Sequence, residues 1–202
     1  MKLLGAACAG ALLLGAACHW PGPPSREKTF APHEAGLTLL YENPLLAPEV
    51  RANERLQARV AASKDLEGGR VVRIAYTSLR GELSALYFQK DGGVALSQDG
   101  QHFGQMVFPT GFPDRVSQWQ VGGARFRVLG RAMADLHGLQ LPGTAERVGV
   151  WVESESPQGA RLRTFLLPDI GEVETLAWRD GAWVCTNRLV SRGFTDVPLS
   201  HD

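Results

Sequence analysis

The sequence lacks the patterns that announce a chemistry. It has no His-Glu-x-x-His, the common zinc-hydrolase motif. Its five histidines, His19, His33, His102, His137 and His201, are nowhere paired at metal-ligand spacing. No Gly-x-Ser-x-Gly marks a hydrolase nucleophile. No Gly-x-Gly-x-x-Gly follows a strand, and Gly92-Gly93 and Gly122-Gly123 read as turns. An excess of one charge is missing too, because 21 basic residues balance 21 acidic ones. Without a basic stripe, nothing argues for a nucleic-acid partner. Without a polybasic block, nothing argues for electrostatic adhesion to a membrane. Cysteine is scarce, with only Cys8, Cys18 and Cys185 in 202 residues. The N-terminal apolar run, Leu3 to Leu14, falls short of the about 20 residues needed to span a bilayer.

That run has another use. Lys2, the apolar run and Gly15-Ala16-Ala17-Cys18 make a basic start, a short hydrophobic region and a small-residue boundary. Together they describe an export signal. Ala16, Ala17 and Cys18 resemble the lipobox of bacterial lipoproteins, with Gly15 standing where that family usually has leucine. The resemblance implies lipidation of the Cys18 thiol and cleavage just before it. Ordinary secretion with cleavage near Ala17, or an uncleaved apolar N-terminus, are the alternatives. Cys8 lies too close to Lys2 for a signal's apolar region of about 7–15 residues. With Cys8 removed and Cys18 lipidated, Cys185 has no partner and no internal disulfide can form. Cys185 itself reads as a small buried residue of a strand.

Three parts are expected: a signal peptide over residues 1–17, a Pro-rich tether over 18–36, and a single β-rich domain over 37–202. Pro21, Pro23, Pro24 and Pro32 favour extended chain in the tether. Beyond it, Leu37 to Tyr41 reads as a strand, and a helical turn follows Pro48. Residues 54–63 alternate with a period of two, which favours a strand over the helical alternative with its poor apolar stripe. Further strands are expected at 70–77, 83–89, 93–97, 103–109, 116–121, 124–132, 147–154, 161–167, 172–179 and 182–190. Asp180-Gly181 is the strongest hairpin signal, since the preferred two-residue turn needs positive φ. Trp178 and Trp183 are expected to pair across it. One face of 172–179 should carry Val173, Thr175 and Ala177. The other should carry Glu172, Glu174, Leu176 and Trp178, with its Glu end near solvent and its Trp end covered. In the partner strand, Trp183, Cys185, Asn187 and Leu189 should share a face. The fold class that follows is all-β and mainly antiparallel: a curved sheet forming an open or partial barrel.

Residues 70–190 resemble the DUF3108-like and TapB-like exported bacterial proteins. Tyr87 to Gly92, Val107-Phe108-Pro109, Leu141 to Val148 and Phe165 to Val173 carry the likeness. Asp169 stands where those families have glycine, and Glu172 where an apolar residue is common. The resemblance implies a β-rich envelope domain without established catalytic residues. Curved half-barrels similar to the carriers LolA and LolB hold acyl chains, so the likeness brings a hydrophobic ligand into view.

Among residue constellations, Asp169, Glu172 and Glu174 are the most suggestive. Two carboxylates on one strand face stand about 7 Å apart, within the range used by inverting glycosidases. Glu153 and Glu155 share that spacing, which any solvated strand face also shows. Phe103, Phe108, Phe112, Trp119, Phe126, Trp151, Phe165, Trp178 and Trp183 are either core or cavity lining. The Phe112-Pro113 loop reads as a crossover, or else as a lid or partner contact. The leading expectation is a lipid-anchored, non-enzymatic binding or structural module of the bacterial envelope, with no cofactor or metal. A carrier or sensor of a hydrophobic ligand is the alternative, and a hydrolase using the acidic group is the third reading. Its partners would be the membrane, through the lipid, and a hydrophobic ligand or envelope protein. His19 rather than aspartate after Cys18 favours the outer membrane, facing the periplasm, in a Gram-negative host.

Overall fold

A computed structural model describes residues 29–66, 69–97, 103–135 and 148–195. Cys18, most of the tether and the 141–147 segment lie outside the described residues. The elements run β1 (Leu37–Glu42), α1 (Pro48–Asn53), β2 (Leu56–Leu66), β3 (Gly69–Ser78), β4 (Gly81–Lys90), β5 (Gly93–Ser97) and β6 (Phe103–Phe108), then β7 (Gln118–Val121), β8 (Ala124–Met133), β9 (Val148–Glu155), β10 (Arg161–Leu167), β11 (Gly171–Arg179) and β12 (Ala182–Phe194). Pro48 starts a short helix, where its missing N–H costs nothing.

The strands form a single sheet in the order β6-β5-β4-β3-β2-β1-β12-β11-β10-β9-β8-β7. Every pairing is antiparallel. Among the described residues ten of the pairings join strands consecutive in sequence, and β1–β12 is the one long-range closure. The sheet curls into a nearly closed barrel with one seam, between β6 and β7. Tight turns make this possible. Asp91-Gly92 and Asp180-Gly181 both place two successive residues at positive φ, the geometry that matches strand twist.

Two apolar clusters fill the barrel. Leu37, Leu39, Tyr41, Ala58, Val60, Val72 and Ile74 join Leu167, Val173 and Leu189 in the first. Phe30, Phe112, Val150, Val152 and Leu166 form the second, with Phe108, Trp119, Phe126 and Val128 packed against them. Each fully buried aliphatic side chain contributes roughly 1.5–3 kcal/mol.

The second cluster closes the seam. Phe112 stacks on Phe108 at 4.8 Å and meets Phe30 and Trp119 edge-on. Trp119 stacks on Phe126 at 5.2 Å, and its indole N–H donates to the Val107 carbonyl at 3.1 Å. Side chains therefore do at the seam what a backbone ladder does elsewhere. The Phe112-Pro113 loop is the crossover between β6 and β7, with Phe112 turned into the core.

The folded part starts earlier than residue 37. Phe30 is only 4% exposed, and Thr29 and Ala31 are buried as well. The Asp169 N–H donates to the Thr29 carbonyl at 2.7 Å, and the Gln89 amide donates to the Pro32 carbonyl at 3.2 Å. Residues 29–36, expected to belong to the tether, are thus packed onto the barrel. Burying the Phe30 ring outweighs the extended bias of the neighbouring prolines.

Val173, Thr175 and Ala177 are buried together as expected, but bulges correct the other strand faces. In β11, Leu166 pairs with Glu172 and Phe165 with Glu174, which leaves Val173 unmatched. In β12, Thr175 pairs with Asn187 and Leu176 with Cys185, leaving Thr186 unmatched. One extra residue reverses the alternation beyond it. Glu172 and Glu174 therefore fall on opposite faces. Trp183 and Cys185 are likewise separated from Asn187 and Leu189. The expected gradient is also reversed, since Trp178 is 41% exposed. The pairing of β10 with β11 ends at Leu162 and Ala177, so the hairpin tip projects past its neighbour.

Candidate functional site: an aromatic cavity with one carboxylate

A partly open cavity of about 260 Å³ lies between the two apolar clusters. β3 and β4 supply Ile74, Tyr76 and Tyr87; the seam supplies Phe108 and Phe126; and Phe30 comes from the segment before β1. Val152, Thr164 and Leu166 complete the far wall, and Glu172 stands on it.

The bulge at Val173 puts Glu172 there. Its register partner Leu166 faces the cavity, so Glu172 does as well. The carboxylate is held by neutral donors. Thr175 donates through its hydroxyl at 2.8 Å and Asn187 through its amide at 2.7 Å, both to Oε1. No Arg, Lys or His pairs with Glu172 among the described residues. The Tyr41 hydroxyl donates to the backbone carbonyl of Glu172 at 3.0 Å.

Across the cavity the Tyr76 and Tyr87 hydroxyls are hydrogen-bonded at 3.0 Å. Burial pushes the Tyr76 phenol well above its ordinary value, and the Tyr87 contact and the Glu172 carboxylate add to the shift. Burial and then Glu172 act on Tyr41 in the same direction. Both phenols stay neutral, so Glu172 is the group that brings negative charge to this space.

The other acidic residues singled out in the sequence, Glu153, Glu155, Asp169 and Glu174, have structural partners. Glu174 accepts from Arg188 at 3.0 Å. Glu153 sits between its cross-strand partners Arg127 and Arg163 and accepts from both, at 2.8 and 2.9 Å, and from Arg161 at 3.3 Å. Burial alone would raise the Glu153 carboxyl. The hydrogen bonds from Arg163 and Arg127 and the charges of Arg161 and Arg163 outweigh it, holding the group below the usual carboxylate range. Glu155 pairs with Arg125 at 3.1 Å. Asp169 lies in the turn before β11 with positive φ, 3.7 Å from His33 Nδ1. The expected carboxylate pair of Glu172 and Glu174 is therefore absent, and no group of His, Cys, Asp and Glu suited to a metal forms among the described residues.

Trp178 and Trp183 do pair across the hairpin, with ring centroids 5.2 Å apart. The Arg163 guanidinium lies 4.1 Å from the Trp183 ring centroid. Cys185 is free and half-buried; burial pushes its thiol up and Glu174 adds to this, the opposite of an activated nucleophile. A larger recess of about 460 Å³ lies near Asp65, Arg70, Lys90 and Asp169, but it is lined by charges of both signs, and Arg70 there is bonded to Asp65 at 2.6 Å. Sequence reasoning singled out Glu172, though for the wrong neighbour, and missed Tyr76 and Tyr87 as cavity residues.

No family model matches the chain, and no curated protein matches it. Solved structures similar to it include one described as a "putative lipoprotein" from Parabacteroides distasonis, at 10% identity and TM-score 0.48, covering 84% of this chain and 100% of that one. Another is a "putative exported protein with YmcC-like fold" from Bacteroides fragilis, at 13% identity and TM-score 0.45, covering 82% of this chain and 99% of that one.

Proposed function

We propose that this chain is a lipid-anchored, non-enzymatic binding protein of the bacterial envelope whose barrel holds a small apolar ligand. The observation that carries the reading is the aromatic-walled cavity between the two clusters. Ligand sites are concave and mostly apolar, with a few placed polar groups. The volume of about 260 Å³ lies just below the usual range of about 300–1,000 Å³ for ligand pockets. It therefore fits a compact molecule or one segment of a chain rather than a whole two-chain lipid.

The anchor reading rests on Lys2, the apolar run and Ala16-Ala17-Cys18, and the outer-membrane placement on His19. Metabolic labelling with a radioactive fatty acid tests the anchor. Wild type should take up label and Cys18→Ala should not; equal labelling of the two ends that claim. Mass spectrometry of organic extracts tests the cavity. Wild type should carry a compound that a Leu166→Trp variant, with its cavity filled, does not.

A further inference from the structure

We infer that the cavity selects an organic ammonium ion, an amine or quaternary ammonium group on an apolar body, with Glu172 as its counter-ion. The inference rests on the proposed ligand-binding role and names the chemistry of that ligand.

Two features carry it. The first is the isolated carboxylate. Glu172 faces a cavity whose walls are otherwise apolar or neutral. Both hydrogen bonds it accepts come from neutral groups, and both end on Oε1. These bonds fix the carboxylate without cancelling its charge. Oε2 accepts no hydrogen bond from the described residues. A carboxylate set among apolar walls gains most when a cation approaches it.

The second feature is the ring content. Phe30, Tyr76, Tyr87, Phe108 and Phe126 all line the same space. Aromatic faces attract cations through their quadrupole, and walls of several rings recognise quaternary ammonium groups. A purely apolar ligand would need the rings but not the carboxylate. A fatty acid would place a second negative charge beside Glu172, and among the described residues the cavity wall holds no cationic side chain to offset it. An ammonium group uses both features.

Calorimetric titration of the full chain in neutral-detergent micelles tests this, with micelles alone as the blank. Benzyltrimethylammonium, benzyl alcohol and benzenesulfonate serve as probes with one ring and different charge. The cation should bind about 10-fold or more tighter than the alcohol, and the sulfonate most weakly. Glu172→Gln keeps an acceptor for Thr175 and Asn187, and it should remove the preference for the cation over the alcohol. Equal affinity of wild type for cation and alcohol overturns the ammonium inference and leaves the apolar-ligand role standing. Binding of none of the three overturns both. A preference that survives in Glu172→Gln overturns the role given to Glu172. The wild-type comparison needs no variant, so the inference remains falsifiable even if Glu172→Gln fails to fold.

Discussion

Glu153 is the residue on which the outer face of the second half depends. Its neighbours along the sheet are arginines on both sides, and a third arginine reaches it from the next row. Removing its charge leaves Arg127, Arg161 and Arg163 repelling one another around a neutral side chain. Glu153→Gln should therefore destabilise the fold by about 1–3 kcal/mol, the usual worth of hydrogen bonds to charged groups. The pH dependence follows from its lowered carboxyl. Such a group contributes stability that is fully present above its unfolded value, near 4.5, and is lost as pH falls through the folded value. Urea unfolding at neutral pH should show the full gap between wild type and Glu153→Gln, and at pH values below 4 the gap should narrow. At this scale the sequence was partly legible. The two-residue spacing of Glu153 and Glu155 was visible, and so was the bland reading of a strand face. The arginines that make Glu153 structural come from other strands, and their register is not written in local sequence. The spacing of Glu172 from Glu174 is visible in the sequence, but its significance comes from the extra residue that turns it inward.

At the scale of elements, glycine positions separate two kinds of cost. Gly181 has φ +85° in the β11–β12 turn, and a Cβ there would meet nothing within 4 Å. Gly181→Val should cost only the backbone penalty, about 1–2 kcal/mol. Gly149 is the opposite case. A Cβ there would strike the Leu166 carbonyl and lie 2.5 Å from Cζ of Phe165. Gly149→Ala should force β9 and β10 apart and cost about 3 kcal/mol, despite the smaller side chain. Thermal melts of the two variants give the order, and a Gly149→Ala protein as stable as Gly181→Val would refute the packing argument. The strands themselves were readable, because glycine turns punctuate them and alternation is strong between turns. The bulges at Val173 and Thr186 were not. A bulge adds one residue without a marker, so Trp183, Cys185, Asn187 and Leu189 look continuous in sequence and are split in space. Burial of Phe30 was hidden in the same way, by prolines that favour an extended chain wherever it runs.

At the scale of the whole sheet, the described residues form two antiparallel meanders joined by one distant pairing. β1–β12 closes the barrel through the core, where Leu39, Tyr41 and Leu189 are buried. On the other side, β6 and β7 meet through side chains. A curved antiparallel sheet was legible from composition and turns, but nothing local announces that residue 37 pairs with residue 194. The site shares that limit, since its walls come from both meanders and exist only once the barrel closes. Stability should be distributed accordingly, because strands whose backbone groups lack a ladder partner open at low cost. In hydrogen–deuterium exchange, the outward-edge amides of β6 and β7 should lose protection first and those of β1, β2 and β12 last. Trp119 is the side chain that spans the gap, by its bond to Val107 and its stack on Phe126. Trp119→Leu should raise exchange in Phe103–Phe108 and Gln118–Val121 by about 10-fold or more, equivalent to about 1.4 kcal/mol of local opening, while leaving β1 and β12 nearly unchanged. Exchange that rises uniformly around the sheet would mean the barrel opens as one unit and that the seam is no weaker than the rest.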